Sequence, residues 1–387
     1  MLKKRHDVYF NIVGLRDSPF SNSARRDCAT TVTYHELGER TYSHPTTQPH
    51  AQVLRQNVNG ETRMKKIRIT DLHADLPYEV IKQREAGQHQ VLEHRFLNLF
   101  RTGSVGTVIS PIWLPEQYKP NGLKRGMQIA DAFLEDIKES KSFRLATNHR
   151  ELLDSERKGK ISLILGCEGG EIIEDDLNLL RVYYRLGLRV FGFMWNHRNL
   201  LADGWYHVSD DRGLSDFGKQ VVEELDKLGV VIDLAHMAPK GWWGVVDVAK
   251  HPLIVSHTST RGPPDPSIRA MTDDQLKAVA SNGSIVGIIA IYSQSIIRSI
   301  PDLRAYCDHV EHVAKVAGPE HVGLGPDFGY FLVGALANDD SQPVKDLEDH
   351  SKLHGVLTEL SRRGMSEEEI RMIARDNFAR VFKQVVG

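Results

Sequence analysis

The sequence predicts an α/β protein built as a (β/α)8, TIM-type barrel, and three observations lead there. Eight short, apolar, β-branched segments recur along the chain, at 66–73, 105–113, 161–167, 189–195, 229–235, 252–256, 284–291 and 321–325. Helical patterns or long loops separate them. Five of the eight end in a group able to ligate a metal or move a proton: His73 with Asp75, Glu168, His236, His257 and Asp327. Barrels of this kind carry their catalytic groups at the C-terminal ends of several strands, which is where this chain places its chemistry.

The first segment holds the most informative motif. In Ile67-Arg68-Ile69-Thr70-Asp71-Leu72-His73-Ala74-Asp75 an imidazole and a carboxylate stand two residues apart, and on a strand residues i and i+2 share a face. Half of a divalent-metal site is therefore expected there. The third segment runs Ile161-Ser162-Leu163-Ile164-Leu165-Gly166-Cys167 into Glu168, and the fifth runs Val230-Val231-Ile232-Asp233-Leu234-Ala235 into His236. The sixth, Leu253-Ile254-Val255-Ser256, leads into His257, and the eighth, Val322-Gly323-Leu324-Gly325-Pro326, into Asp327. Between the fourth and fifth segments, Leu214, Phe217, Val221, Val222 and Leu225 form a helical stripe that Gly229 stops. Thr272 to Gln275 and Ser366 to Glu369 each open a helix with a capping-box pattern.

Composition narrows the function class. A formal net charge of -2 gives no electrostatic reason to expect nucleic acid or an anionic membrane as partner. Three cysteines, Cys28, Cys167 and Cys307, argue against a disulfide framework. Cys167 beside Glu168 reads as a small buried residue rather than a nucleophile or thiolate ligand. No segment is apolar enough to span a bilayer, and Val8 to Val13 after the basic start is too short for a signal-peptide core. The expected location is cytoplasmic. Residues 1–63 have no sustained period and precede Met64, so they are expected to be a disordered leader or to lie upstream of the true start, with the functional domain at 64–387. The histidines of that stretch, His6, His35, His44 and His50, are expected to be solvated.

From Asp71 onward the chain resembles the membrane (renal) dipeptidase family of metallopeptidases, within the amidohydrolase-like metal-dependent hydrolases. The stretches that carry the resemblance are Asp71-Leu72-His73-Ala74-Asp75-Leu76-Pro77-Tyr78, Glu168-Gly169-Gly170, Ile232-Asp233-Leu234-Ala235-His236, Pro252-Leu253-Ile254-Val255-Ser256-His257-Thr258, Gly325-Pro326-Asp327-Phe328 and Asp376-Asn377-Phe378-Ala379-Arg380-Val381-Phe382. The resemblance implies two Zn2+ ions, one held by His73 and Asp75, the other by His236 and His257, with Glu168 bridging. It implies hydrolysis of a dipeptide amide, L,D-dipeptides included, by a metal-bridging hydroxide, with Asp327 carrying the proton to the leaving amine. Arg269 matches the family arginine that pairs with the substrate carboxylate, with Arg261 as the competing candidate. Tyr292 and Tyr78 match positions near the site. The implied partner is a dipeptide, with no nucleic acid and no membrane; a homodimer is left open.

One position departs from the family. Where well-studied relatives have a histidine after the fourth strand that stabilises the tetrahedral intermediate, an ungapped alignment places Trp195. His197 would share a face with it on a continuing strand, and Asn196 is the other candidate donor. The alternative function is accordingly a relative that retains metal but acts on a non-peptide small-molecule amide, or serves as a binding protein.

Overall fold

Eight parallel strands close into a barrel: β1 (Ile69–Asp71), β2 (Val105–Trp113), β3 (Ile161–Glu168), β4 (Val190–Gly192), β5 (Val231–Asp233), β6 (Ile254–Thr258), β7 (Ile285–Ile288) and β8 (Val322–Leu324). Each pairs with its successor, and β8 returns to β1 with Leu324 opposite Asp71. Closure removes every sheet edge but one. The short strand Phe143–Leu145 lies beside the first residues of β3, and β4 takes over that side from Gly166 onward. The computed structural model describes residues 67–261, 269–293, 297–332 and 340–387; the expected leader, 1–63, lies outside them.

All eight expected segments contain or overlap a strand, with two adjustments. The sixth continues past Ser256, so His257 belongs to β6 rather than following it. The seventh stops at Ile288, and Ile291–Tyr292 instead pairs antiparallel with Gln342–Pro343. The helix expected before β5 spans Asp216–Leu228, capped by the Ser215 hydroxyl, with Val221, Val222 and Leu225 buried and Gly229 in the left-handed conformation at φ 67°. Both capping boxes form, on Thr272 with Gln275 and on Ser366 with Glu369. Among the described residues no helix is long and apolar enough to cross a membrane.

The end of the barrel away from the polar groups is plugged. Ile109, Ile164, Val190, Val231, Ile254 and Ile285, one from each of six strands, pack with Phe378, Val381, Phe382 and Val385 of the C-terminal helix Asn377–Val386. Those four recur at helical spacing, so a single helix face closes the barrel floor. Cys167 is buried, with its Sγ 3.8 Å from the Gly192 carbonyl oxygen, and burial pushes its thiol pKa well up. That environment suits the structural reading of this cysteine.

At the opposite end the strands are pressed tightly together. A Cβ added at Gly287 would lie 2.0 Å from the Ser256 carbonyl oxygen, and one added at Gly325 only 1.7 Å from it. Gly287 on the neighbouring β7 and Gly325 just past β8 must therefore be glycine for backbone to approach backbone. Gly325→Ala is expected to cost about 3 kcal/mol of stability or more, the upper range for forced overpacking. Urea unfolding checks this, and a loss below about 0.5 kcal/mol would contradict the packing argument.

Candidate metal centre and its cleft

The C-terminal ends of β1, β3, β5, β6 and β8 bring six expected residues into one buried cluster. Asp71, the last residue of β1, accepts the His73 backbone N–H on Oδ1 at 3.0 Å and so fixes the turn that aims His73 and Asp75 inward. Asp233, last in β5, does the same for the Ala235 N–H at 3.0 Å, just before His236. His236 and Asp327 then adopt left-handed backbone conformations, φ 64° and 54°. Such conformations are uncommon for residues other than glycine and gather at functional sites.

Glu168 stands in the middle. Its Oε1 is 2.9 Å from His236 Nε2 and 3.7 Å from His257 Nε2, while Oε2 is 3.6 Å from His73 Nε2. His73 Nε2 is also 3.7 Å from Asp75 Oδ1 and 3.8 Å from Asp327 Oδ1, and the other Asp327 oxygen is 3.8 Å from His257 Nε2. Two overlapping sets of metal-ligating atoms result, His73 with Glu168 and His257, and His73 with Asp75 and Asp327, each set within 4.8 Å. His73 Nε2 and Asp75 Oδ1 are buried without a hydrogen-bond partner. Buried polar atoms are normally satisfied, so a pair of orphans facing each other at ligand distance fits a cation between them. Imidazole nitrogens and carboxylate oxygens without a thiolate suit zinc and similar divalent ions.

Electrostatics give the same picture. Burial raises the Asp75 carboxyl to about 6 and pushes Asp327 well above the ordinary carboxylate range, with neighbouring carboxylates adding to both. Burial opposes charge on His73, yet Glu168 and Asp75 outweigh it and hold that imidazole well above its usual value. The His73 imidazolium in turn overcomes the burial of Glu168 and keeps it ionised. Burial and then Arg269 lower His236 to about 4, and burial lowers His257 well below its usual value, so both offer neutral nitrogens. Metal ligation requires that state.

The ring nitrogens that face away from the cluster are also spoken for. His236 Nδ1 donates to Asn196 Oδ1 at 2.9 Å, and Trp205 Nε1 donates to the same oxygen at 2.5 Å. Asn196 thus orients a ligand histidine, the outer-shell task that fixes a metal-binding tautomer. The sequence singled out Asn196 only as a substrate donor. A second buried chain escaped it altogether: His350 Nε2 is 2.9 Å from Asp71 Oδ2, and the Tyr330 hydroxyl is 2.9 Å from His350 Nδ1. His350 is wholly buried and packed edge-on by Phe100 and Phe328. It lies 279 positions from Asp71 in the chain, which no local pattern could reveal.

Two cavities flank the cluster. One, of about 270 Å³, is lined by Asp75, Glu168, Asp327, Trp113, Trp195 and Tyr330 among others. The other, of about 200 Å³, is lined by His236, His257, Trp205, Met271 and both Arg261 and Arg269. Arg269 reaches the cluster itself, with Nη2 donating to His236 Nε2 at 2.7 Å. Trp195 stacks edge-on against Trp113 with ring centres 5.3 Å apart, under the Lys119 ammonium. His197 turns outward: β4 ends at Gly192, no strand carries its face inward, and its ring lies against Tyr206 with Nε2 3.7 Å from Glu116. Tyr78 packs edge-on to Trp113, and Tyr292 sits opposite Gln342 in the short antiparallel pair; neither lines these cavities.

The sequence profile of the membrane dipeptidase family, peptidase family M19, matches residues 60–386. The chain belongs to this family. It is 30% identical over 350 residues to a Schizosaccharomyces pombe protein described as uncharacterized dipeptidase C965.12, covering 83% of this chain and 81% of that one. It is 26% identical to dipeptidase 3 of Rattus norvegicus over 83% of this chain and 66% of the rat protein. Its fold is shared with a metallopeptidase from Rhodobacter sphaeroides solved with a phosphinate mimic of the dipeptide L-Ala-D-Ala, at a TM-score of 0.73 and 19% identity, covering 83% of this chain and 99% of that one. As a membrane dipeptidase family member it is a metal-dependent hydrolase of dipeptides, and the cluster at the barrel mouth supplies the histidines and carboxylates such an enzyme needs.

The buried pair of Asp71 and His350 holds this mouth together. His350→Leu would leave Asp71 Oδ2 and the Tyr330 hydroxyl without their partner, a loss expected to cost about 3 kcal/mol because each buried polar group left unsatisfied costs about 1–3 kcal/mol. Urea denaturation of the two proteins measures it, and a difference under about 1 kcal/mol would show that the chain adds nothing beyond packing.

Proposed function

We propose that this enzyme is a dinuclear zinc dipeptidase that cleaves small dipeptides, L,D-dipeptides included. The observation that carries the reading is the placement of Glu168, one oxygen toward His236 and the other toward His73. A carboxylate so placed serves two ions at once. His73 and Asp75 would hold one Zn2+ and His236 and His257 the other. When bound, the two ions supply Lewis acidity and lower the pKa of water. Asp327 faces both histidine sides of the cluster, and burial pushes its carboxyl well above the ordinary carboxylate range, which suits it to take a proton from water and return it to the departing amine. Arg269 offers a planar guanidinium to the substrate carboxylate, and Trp113 with Trp195 forms an apolar wall for a substrate side chain. The dipeptide mimic bound by the Rhodobacter sphaeroides relative supports this substrate class.

The proposal is tested on zinc-loaded protein. Wild type should carry two zinc equivalents and release amine from at least some of a panel of L,L- and L,D-dipeptides. Asp327→Asn should keep both ions and lose turnover by about two to four orders of magnitude, while Arg269→Ala should raise KM far more than it lowers kcat. One zinc equivalent or fewer in wild type sinks the dinuclear reading. An Asp327→Asn enzyme as fast as wild type removes the proton role.

One observation favours the second reading, a metal-retaining protein acting on a non-peptide amide or binding without hydrolysis. Trp195, which an ungapped alignment sets where well-studied relatives have a histidine, lines the first cavity, and His197 lines neither cavity. Failure of wild type on the whole dipeptide panel, with two zinc ions bound, would establish that reading instead.

Residues 64–387 are proposed as the functional domain, supported by a family match that begins at residue 60. A protein starting at Met64 should equal the full chain in melting temperature and zinc content, and a clear loss in either would assign the first 63 residues a structural part. The cytoplasmic location rests on the sequence alone; recovery of the native protein outside the cytoplasm would overturn it.

A further inference from the structure

The dinuclear reading leaves open what holds the two metal-binding halves in register. Ser256 sits between them, fully buried on β6. Its Oγ is 2.9 Å from His257 Nδ1 and 3.4 Å from His73 Nδ1. The two imidazoles it touches stand with ring centres 4.1 Å apart and belong to different proposed ions. A serine hydroxyl has one hydrogen to donate and two lone pairs to offer. The Asp233 carboxylate takes up the hydroxyl and accepts the Ser256 backbone N–H on Oδ1 at 2.8 Å. That leaves both lone pairs for the Nδ1–H groups of His73 and His257. Every valence of the oxygen is then used.

The position of this oxygen is fixed from the backbone. Asp233 holds the Ser256 N–H, and Gly287 on the neighbouring β7 and Gly325 just past β8 press on its carbonyl. We infer that Ser256 is a positioning residue shared by the two metal sites, setting the tautomer of one ligand histidine in each so that both Nε2 atoms face the cluster. The inference rests on the dinuclear reading above and goes beyond it, because it makes the affinities of the two sites depend on one hydroxyl.

The test is zinc affinity, measured on the zinc-loaded full chain by competition with a chelator. Ser256→Ala removes the hydroxyl and leaves every proposed ligand in place. It should weaken both zinc ions by about 10–100-fold, the range for losing an outer-shell partner, with far-ultraviolet circular dichroism unchanged. Asp233→Asn keeps an oxygen for the backbone N–H groups but replaces the other by an amide that donates rather than accepts, so it should weaken both ions in the same direction and by less. It decides the matter if Ser256→Ala does not fold. Unchanged affinity, or a loss confined to one ion, overturns the shared role while leaving the dinuclear reading intact. Wild type with fewer than two ions overturns both.

Discussion

Everything at the barrel mouth depends on keeping Glu168 ionised while it is fully buried. An isolated carboxylate in that environment would take up a proton, since burial disfavours the charged form. Here the charged imidazole of His73 faces one of its oxygens and reverses the effect. The same crowding is unfavourable for Asp75 and Asp327, whose carboxyls are driven upward. The carboxylates around it favour the protonated form of His73. A divalent ion would displace that proton, so metal binding and proton release are linked at this histidine.

The fold meets the demand for precision by anchoring the ligands through their backbones. Asp71 and Asp233 end their strands and each accepts the N–H two residues on, one steering His73 and Asp75, the other His236. The free oxygen of Asp71 continues into His350 and Tyr330, which connects the first cavity wall to the turn that carries two proposed ligands. On the other side Asn196 joins His236 to Trp205 in the wall of the second cavity. The left-handed backbone at His236 is held from both sides, by the Ala235 N–H on Asp233 and by the Trp205 N–H on the His236 carbonyl.

How much of this the sequence could show follows from the range of each interaction. The strands were legible because burial on both faces leaves continuous apolar runs, and the polar groups closing five of them were legible because strand ends mark a barrel's chemistry. His73 with Asp75 announced itself through spacing alone. Asn196 was noticed, but as a donor to substrate, because its contact with His236 spans 40 residues. His350 and Ser256 left no local signal: one is a histidine opening a single 3-10 turn, the other a serine inside a strand. Their parts depend on which strands become neighbours, a property of the closed barrel rather than of any segment. The misplaced expectation for His197 has the same origin, since it assumed that β4 continues beyond Gly192 when the chain in fact turns away.

Trp195 is where the inherited site and the local chemistry of this chain meet. An indole can donate one hydrogen bond but cannot exchange a proton near neutrality as an imidazole does. A tetrahedral intermediate formed in this cleft would therefore rely more heavily on fixed positive charge and preorganised donors for its oxyanion. Arg269 already reaches the cluster at His236, and Lys119 lies over the Trp195 ring, 5.2 Å from its centre. The aromatic pair of Trp113 and Trp195 lowers the local polarity of the cavity, which strengthens such charges while it narrows the substrates that fit. Trp195 thus gives the cavity a dry wall rather than a titratable group, and its effect should fall on which amides are accepted before it falls on whether the metal centre forms.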